Sequence, residues 1–371
     1  MLNIFDDHYS AIRERLLLLA RSLERTAEPA FEEKGTVEIW HRFLSEHQIP
    51  FRLALDGLAP VIDLGLFGRS EKSVVITVDL DAVGRVSGEG WLCEHTCGHF
   101  AQSVHALGLA LLLHTYGGLK HVAVRIIGCP GEECRPVYDL DYPLPYIPGK
   151  QLLLKDGWFT GADAVLSTHL ADHLSTGWVQ LVDGADGMIG LRLHAPPFDP
   201  FDHRPISLKT HAGFLDEWQK EIRRITGRPQ LKVRARPIST GIELWTAFPK
   251  ELADIQAQAV NEILARLSAS TAVEVQLISS YAPLQQSESL QGIAEQVLKK
   301  DRVITNIQRI SELPGSTDLG DVSQAYPVLQ LFVGGTIGVT HDRNFQVVDE
   351  QFALLWPIQW LMNMLERLVA N

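Results

Sequence analysis

Along much of this chain apolar residues come in short unbroken runs, and several runs end in side chains able to do chemistry. Ser73-Val74-Val75-Ile76-Thr77-Val78 leads into Asp79-Leu80-Asp81, and Val122-Ala123-Val124-Arg125-Ile126-Ile127 leads through Gly128-Cys129-Pro130-Gly131 into Glu132-Glu133. Ala164-Val165-Leu166-Ser167-Thr168 ends at His169, and an apolar run over 327–333 is broken by Gly334-Gly335 before His341. Runs of this length, rich in β-branched residues and bounded by Gly or Pro, predict strands buried on both faces. If they share one open α/β sheet, their carboxyl ends fall along one edge, where such sheets place active sites. The candidate side chains would then converge.

Helical patterns lie between the strands. Residues 100–116, rich in Ala and Leu and stopped by Gly117-Gly118, predict a helix just after Cys97, and about 9–26 predicts a scaffold helix. Past Asp183-Gly184-Ala185-Asp186-Gly187 the pattern changes to a strand at 188–193, a Pro/Asp/His-rich loop at 196–205 and a polar helix at about 213–225. Strands at 231–236 and 240–247, an amphipathic helix at 249–268 and a strand at 271–279 follow. That order predicts an α+β sandwich with an open sheet. The expected organisation is a unit at 186–283 set between 1–185 and 284–371.

The chemistry centres on Cys97-Gly98-His99 and on Glu132-Glu133. A thiolate, an imidazole and two adjacent carboxylates suit a metallohydrolase, in which three bind divalent metal and the spare carboxylate moves protons. Cys97 precedes a predicted helix N-terminus, which favours its thiolate.

Size and composition narrow the class. With 371 residues, 46% hydrophobic and 21% charged, the chain suggests two domains, each with its own core. No apolar stretch is long enough to span a bilayer, and the first residues lack the basic flank and apolar core of a signal peptide, so a cytoplasmic protein is expected. A net charge of −12 argues against a nucleic-acid partner held through phosphates. The 4 cysteines make no disulfide framework, and Cys93, Cys129 and Cys134 read as reduced thiols. A structural zinc site on the four cysteines would leave the Glu pair and His169 unexplained.

In this order, Asp79-Leu80-Asp81-Ala82, His95-Thr96-Cys97-Gly98-His99, Pro130-Gly131-Glu132-Glu133, Thr168-His169 and the late His341 resemble the aminoacylase/carboxypeptidase superfamily of dinuclear metallopeptidases, in its amidohydrolase branch. Gly149-Lys150, Gly157-Trp158-Phe159, Gly161-Ala162-Asp163-Ala164 and Ser316-Thr317-Asp318-Leu319-Gly320-Asp321-Val322-Ser323 look closest to the aminobenzoyl-glutamate hydrolase and aminoacylase-like dipeptidase group. The resemblance implies an α/β, phosphorylase/hydrolase-like zinc-peptidase domain with a ferredoxin-like lid that also makes a homodimer. It implies two divalent ions, zinc or manganese with cobalt or nickel also suited, held by Cys97, His99, Glu133, His169 and His341, with Cys97 bridging. Glu132 would be the general base and Asp81 would orient His99. Asp79 stands where other branches carry a metal-binding His and is left out of the ligand set.

The lid departs from that pattern. Relatives carry a Gly-rich turn with a His-Ala pair and an Asn that touches substrate; this chain has His194-Ala195 and His211-Ala212-Gly213 without the turn, and no Asn between 238 and 248. His211 is the candidate oxyanion contact. A Pro- and Tyr-rich segment at 134–148 replaces the usual short link after the Glu pair and reads as a stiff loop able to roof the site. The expected activity is hydrolysis of an N-acyl amino acid, dipeptide or related small amide. A catalytically weak metal-binding subunit and a metalloaminopeptidase are the competing readings.

Overall fold

The computed structural model describes residues 4–6, 9–87, 90–117, 119–194, 219–220, 223–224, 227, 233–238, 241–270 and 274–369. The apolar runs do pair in one mixed sheet of eight strands. Its order is Arg52–Ala54, Ala59–Leu64, Val122–Cys129, Lys72–Asp79, Ala164–Leu170, Val328–Val333, Trp178–Val182 and Asn306–Ile310. The strands from Val122–Cys129 to Val328–Val333 run parallel, and antiparallel neighbours flank them on both sides.

Burial on both faces explains why those runs do not alternate. Val74, Ile76 and Val78 face a core made with the helices Ser10–Glu24, His99–Thr115, Glu288–Leu298 and Trp356–Val369. Val75, Ile127 and Val165 face a smaller core with Leu153, Phe159, Leu319 and Val322. The His99–Thr115 helix is buried from His99 to Leu113, which is why its sequence is apolar all round. It begins one residue earlier than the pattern suggests, after Gly98 in the left-handed region at φ 84°.

A separate four-stranded antiparallel sheet runs in the order Val233–Ile238, Gly241–Phe248, Gly187–His194, Glu274–Tyr281. The helix Gln256–Ser270 packs on it through Ala259, Val260 and Ile263 against Ile189, Leu191, Leu244 and Phe248. The helix expected from 249 divides into a 3-10 segment, Lys250–Ile255, and the α-helix. His211 lies outside the described residues, as does most of the polar helix expected at 213–225. Among the described residues, no helix is long and apolar enough to cross a membrane.

Candidate metal centre

The parallel strands bring the predicted residues to one edge of the large sheet. Asp81 follows the Lys72–Asp79 strand, Glu132 and Glu133 follow Val122–Cys129, His169 is the penultimate residue of Ala164–Leu170, and His341 lies beyond Val328–Val333. Cys97 and His99 arrive at the start of the buried helix. Their donor atoms form three overlapping groups, each within 4.8 Å: Cys97 with His99 and His169, Cys97 with Glu133 and His341, and His99 with Glu132 and Glu133. Cys97 therefore stands in both groups that contain a thiol, the position a bridging ligand needs. Cys93, Cys129 and Cys134 stand in none of the groups found among the described residues.

Hydrogen bonds aim the imidazoles. His99 Nδ1 lies 3.0 Å from the Asp81 carbonyl and 3.3 Å from Asp81 Oδ1, and His169 Nδ1 lies 2.7 Å from the Leu170 carbonyl. A carbonyl only accepts, so both Nδ1 atoms carry a proton, and Nε2 is the atom of each ring that can give its lone pair to a cation. His169 Nε2 is 3.4 Å from Cys97 Sγ, and His341 Nε2 is 3.2 Å from Glu133 Oε1. His341 is itself held at φ 67°, its N–H donating to the Thr96 carbonyl at 2.9 Å.

The buried charges respond to one another. Burial disfavours a thiolate at Cys97, yet the imidazoles of His99, His169 and His341 outweigh it and hold the thiol well below its usual range. In return, and against burial, Cys97 raises the imidazoles of His99 and His169. Glu133 first, with Cys97, pushes His341 up to about 12. Burial, Asp79 and Glu133 raise the Glu132 carboxyl well above its usual range.

The residues fit a divalent cation. His99 Nε2 is buried with no hydrogen-bond partner, and Glu133 Oε1, beside His341, has no aligned one. Buried polar atoms are rarely left so unless something else binds them. The donor set of thiolate, imidazole and carboxylate suits zinc-like metals better than magnesium or calcium.

Asp79 is occupied otherwise. Its carboxylate accepts from Lys150 Nζ and from Gln102 Nε2, and the same ammonium meets Asp318, whose other oxygen accepts the Lys150 N–H at 3.0 Å. All three charged groups are at most 2% exposed. Sequence reasoning placed Lys150 and Asp318 in motifs but assigned them no partner. It missed Glu33, fully buried, whose Oε1 accepts from Gly131 N–H at 2.8 Å.

Solved structures share this fold. It is similar to a dinuclear metal-binding peptidase of the M20 family from Bacillus subtilis (TM-score 0.64, 18% identity, covering 97% of this chain and 98% of that one). An aminobenzoyl-glutamate utilization protein from Klebsiella pneumoniae aligns at TM-score 0.65 and 14% identity, over 100% and 99% of the two chains. An amidase of the hydantoinase/carbamoylase family from Burkholderia vietnamiensis aligns at 0.58 and 15%, over 96% and 97%. No protein-family model and no curated protein sequence matches the chain. These neighbours show the expected α/β architecture.

Proposed function

We propose that the chain is a dinuclear metal-dependent amidohydrolase acting on an N-acyl amino acid, dipeptide or related small amide. The observation that carries this reading is the sharing of Cys97 by two groups of candidate ligands, one with His99 and His169 and one with Glu133 and His341. Two divalent ions bound there would polarise the scissile carbonyl and activate a water. The chain's own part is to hold ligands and move a proton. Asp81 holds the ring of His99 through its backbone carbonyl, 3.0 Å from Nδ1, and accepts the Glu133 N–H on Oδ2 at 2.8 Å, so one residue aligns two of the ligands.

Glu132 is suited to the proton. Its Oε2 lies 3.9 Å from His99 Nε2 and its side chain is 12% exposed, so it faces the candidate centre and stays within reach of solvent. A carboxyl raised above its usual range by burial is a stronger base, suited to take a proton from attacking water and deliver it to the leaving amine. The test is metal analysis of the purified chain, then turnover of N-acyl amino acids, blocked dipeptides and free dipeptides after reconstitution with Zn²⁺ or Mn²⁺. Cleavage of blocked substrates supports the proposal, a strict need for a free α-amine selects the aminopeptidase, and two bound metals without turnover select the non-catalytic subunit.

A further inference from the structure

The turn that carries both carboxylates is held by side chains from two directions. On one side Gly131 N–H donates to Glu33 Oε1 and Glu133 N–H to Asp81 Oδ2, each at 2.8 Å. On the other, the Tyr146 hydroxyl donates to the Gly131 carbonyl at 2.6 Å and lies 3.2 Å from the Glu133 carbonyl, while the Tyr281 hydroxyl donates to the Glu132 carbonyl at 2.9 Å. The peptide between Glu132 and Glu133 is thus clamped at both ends, its C=O by Tyr281 and its N–H by Asp81. Because that peptide is planar, clamping both ends restricts the directions in which the two carboxylates leave the backbone.

Both hydroxyls belong to the lid sheet or to what is seated on it. Tyr281 ends the lid strand Glu274–Tyr281. Tyr146, in the Pro- and Tyr-rich segment, lines the same strand: its N–H donates to the Ile278 carbonyl at 2.7 Å and its carbonyl accepts from Ser279 Oγ at 2.9 Å. Gln151 Nε2 adds a bond to the Ser280 carbonyl at 2.6 Å. Farther along, Arg192 and Arg236, both paired with buried Glu243, donate to the Leu140 and Pro136 carbonyls. The segment expected to roof the site therefore fastens the lid sheet to the turn bearing Glu132 and Glu133. Gly131 lets the turn come this close, since at φ 67° an added Cβ would meet Phe31 at 2.6 Å and the Tyr146 hydroxyl at 2.8 Å.

We propose that Tyr146 and Tyr281 are positioning residues that make the aim of Glu132 and Glu133 depend on docking of the lid strand against the catalytic sheet. Its consequence for turnover rests on the amidohydrolase reading; the coupling itself does not. Tyr146→Phe and Tyr281→Phe keep the rings and remove one hydroxyl each. Hydrogen–deuterium exchange of the metal-free chain, read on peptides covering 129–138, should speed about five-fold in each variant, the equivalent of the ~1 kcal/mol that one hydrogen bond contributes. Exchange in the Lys72–Asp79 strand should not change, and Tyr116→Phe, at a remote ring pair with Tyr9, should change neither.

In the Co²⁺-loaded chain, Tyr281→Phe should keep both metals and lower kcat about ten-fold at unchanged KM for the best blocked dipeptide, as expected when Glu132 is mis-aimed in the transition state and substrate binding is untouched. Unchanged exchange at 129–138 in both variants, or a uniform rise across the whole chain, would overturn the coupling. If the wild-type chain binds no Co²⁺ or cleaves no amide, the functional reading fails, and the exchange data still decide the coupling.

Discussion

Lys150→Met tests how the site's framework is held together. Methionine keeps an unbranched apolar stem of similar reach and removes the ammonium lying between Asp79 and Asp318. Each carboxylate keeps one donor, Gln102 Nε2 for Asp79 and the residue-150 N–H for Asp318. The local charge, one cation against two anions, becomes two uncompensated anions in a buried place. Breaking a buried ion pair by removing one partner costs about 3–5 kcal/mol, and the two retained donors argue for the lower end, ~3 kcal/mol. In the parent chain burial opposes the Asp79 carboxylate, but Lys150 together with His99 and Gln102 outweighs it and lowers the group; Asp318, sharing that ammonium, is raised by burial to about 6. Without the ammonium both groups rise and take up protons on folding as pH falls, so the loss should be largest near pH 7 and shrink toward pH 5. Urea unfolding of the metal-free parent and variant at both pH values measures this. Adding Asp79→Asn to Lys150→Met should recover more than 1 kcal/mol, since it removes one of the stranded charges. A loss below 1 kcal/mol at pH 7, or one that grows on acidification, would refute the argument.

Cys97→Ala should empty both candidate metal positions, raising each dissociation constant by roughly 10²-fold or more, one ligand's share of the ~10–16 kcal/mol typical of a structural zinc site; two ions retained at parental affinity would remove Cys97 from the bridge, and Cys93→Ala should change nothing. Glu132→Gln should keep the metals and lose roughly 10²-fold in rate, the typical loss of a general base. Glu133→Ala should lose metal, and equal metal loss in the two variants would mean their roles are wrongly divided. Cys97 raises the imidazoles of His99 and His169, and Glu133 with Cys97 raises that of His341, so a cation binding there competes with protons. Metal affinity should therefore fall as pH falls, with proton release visible by calorimetry in buffers of different ionisation enthalpy. Pairing of a second copy along the Val233–Ile238 edge of the lid sheet would give a two-fold homodimer, and sedimentation as a monomer at micromolar concentration would exclude it.

The strands at 72–79, 122–129, 164–170 and 328–333 were legible because burial on both faces demands apolar residues at every position, a local record of a tertiary fact. The order of Cys97, His99, Glu133, His169 and His341 was legible for a similar reason: each follows or ends such a strand or starts a helix, and the carboxyl ends of parallel strands share one edge. The Lys150 partners were not, since Asp79 and Asp318 look like ordinary acidic loop or strand-end residues until the fold brings them to one ammonium. Side-chain parity within a buried strand is equally silent, because Val74 and Val75 are the same residue type facing opposite cores. Glu33 and Tyr281 reach the turn at 131–133 from far along the chain, and neither carries a spacing signal. Local propensity and burial are written residue by residue. Which side chains meet across the molecule depends on how separate segments pack, and for Lys150, Glu33 and Tyr281 only the tertiary structure decided it.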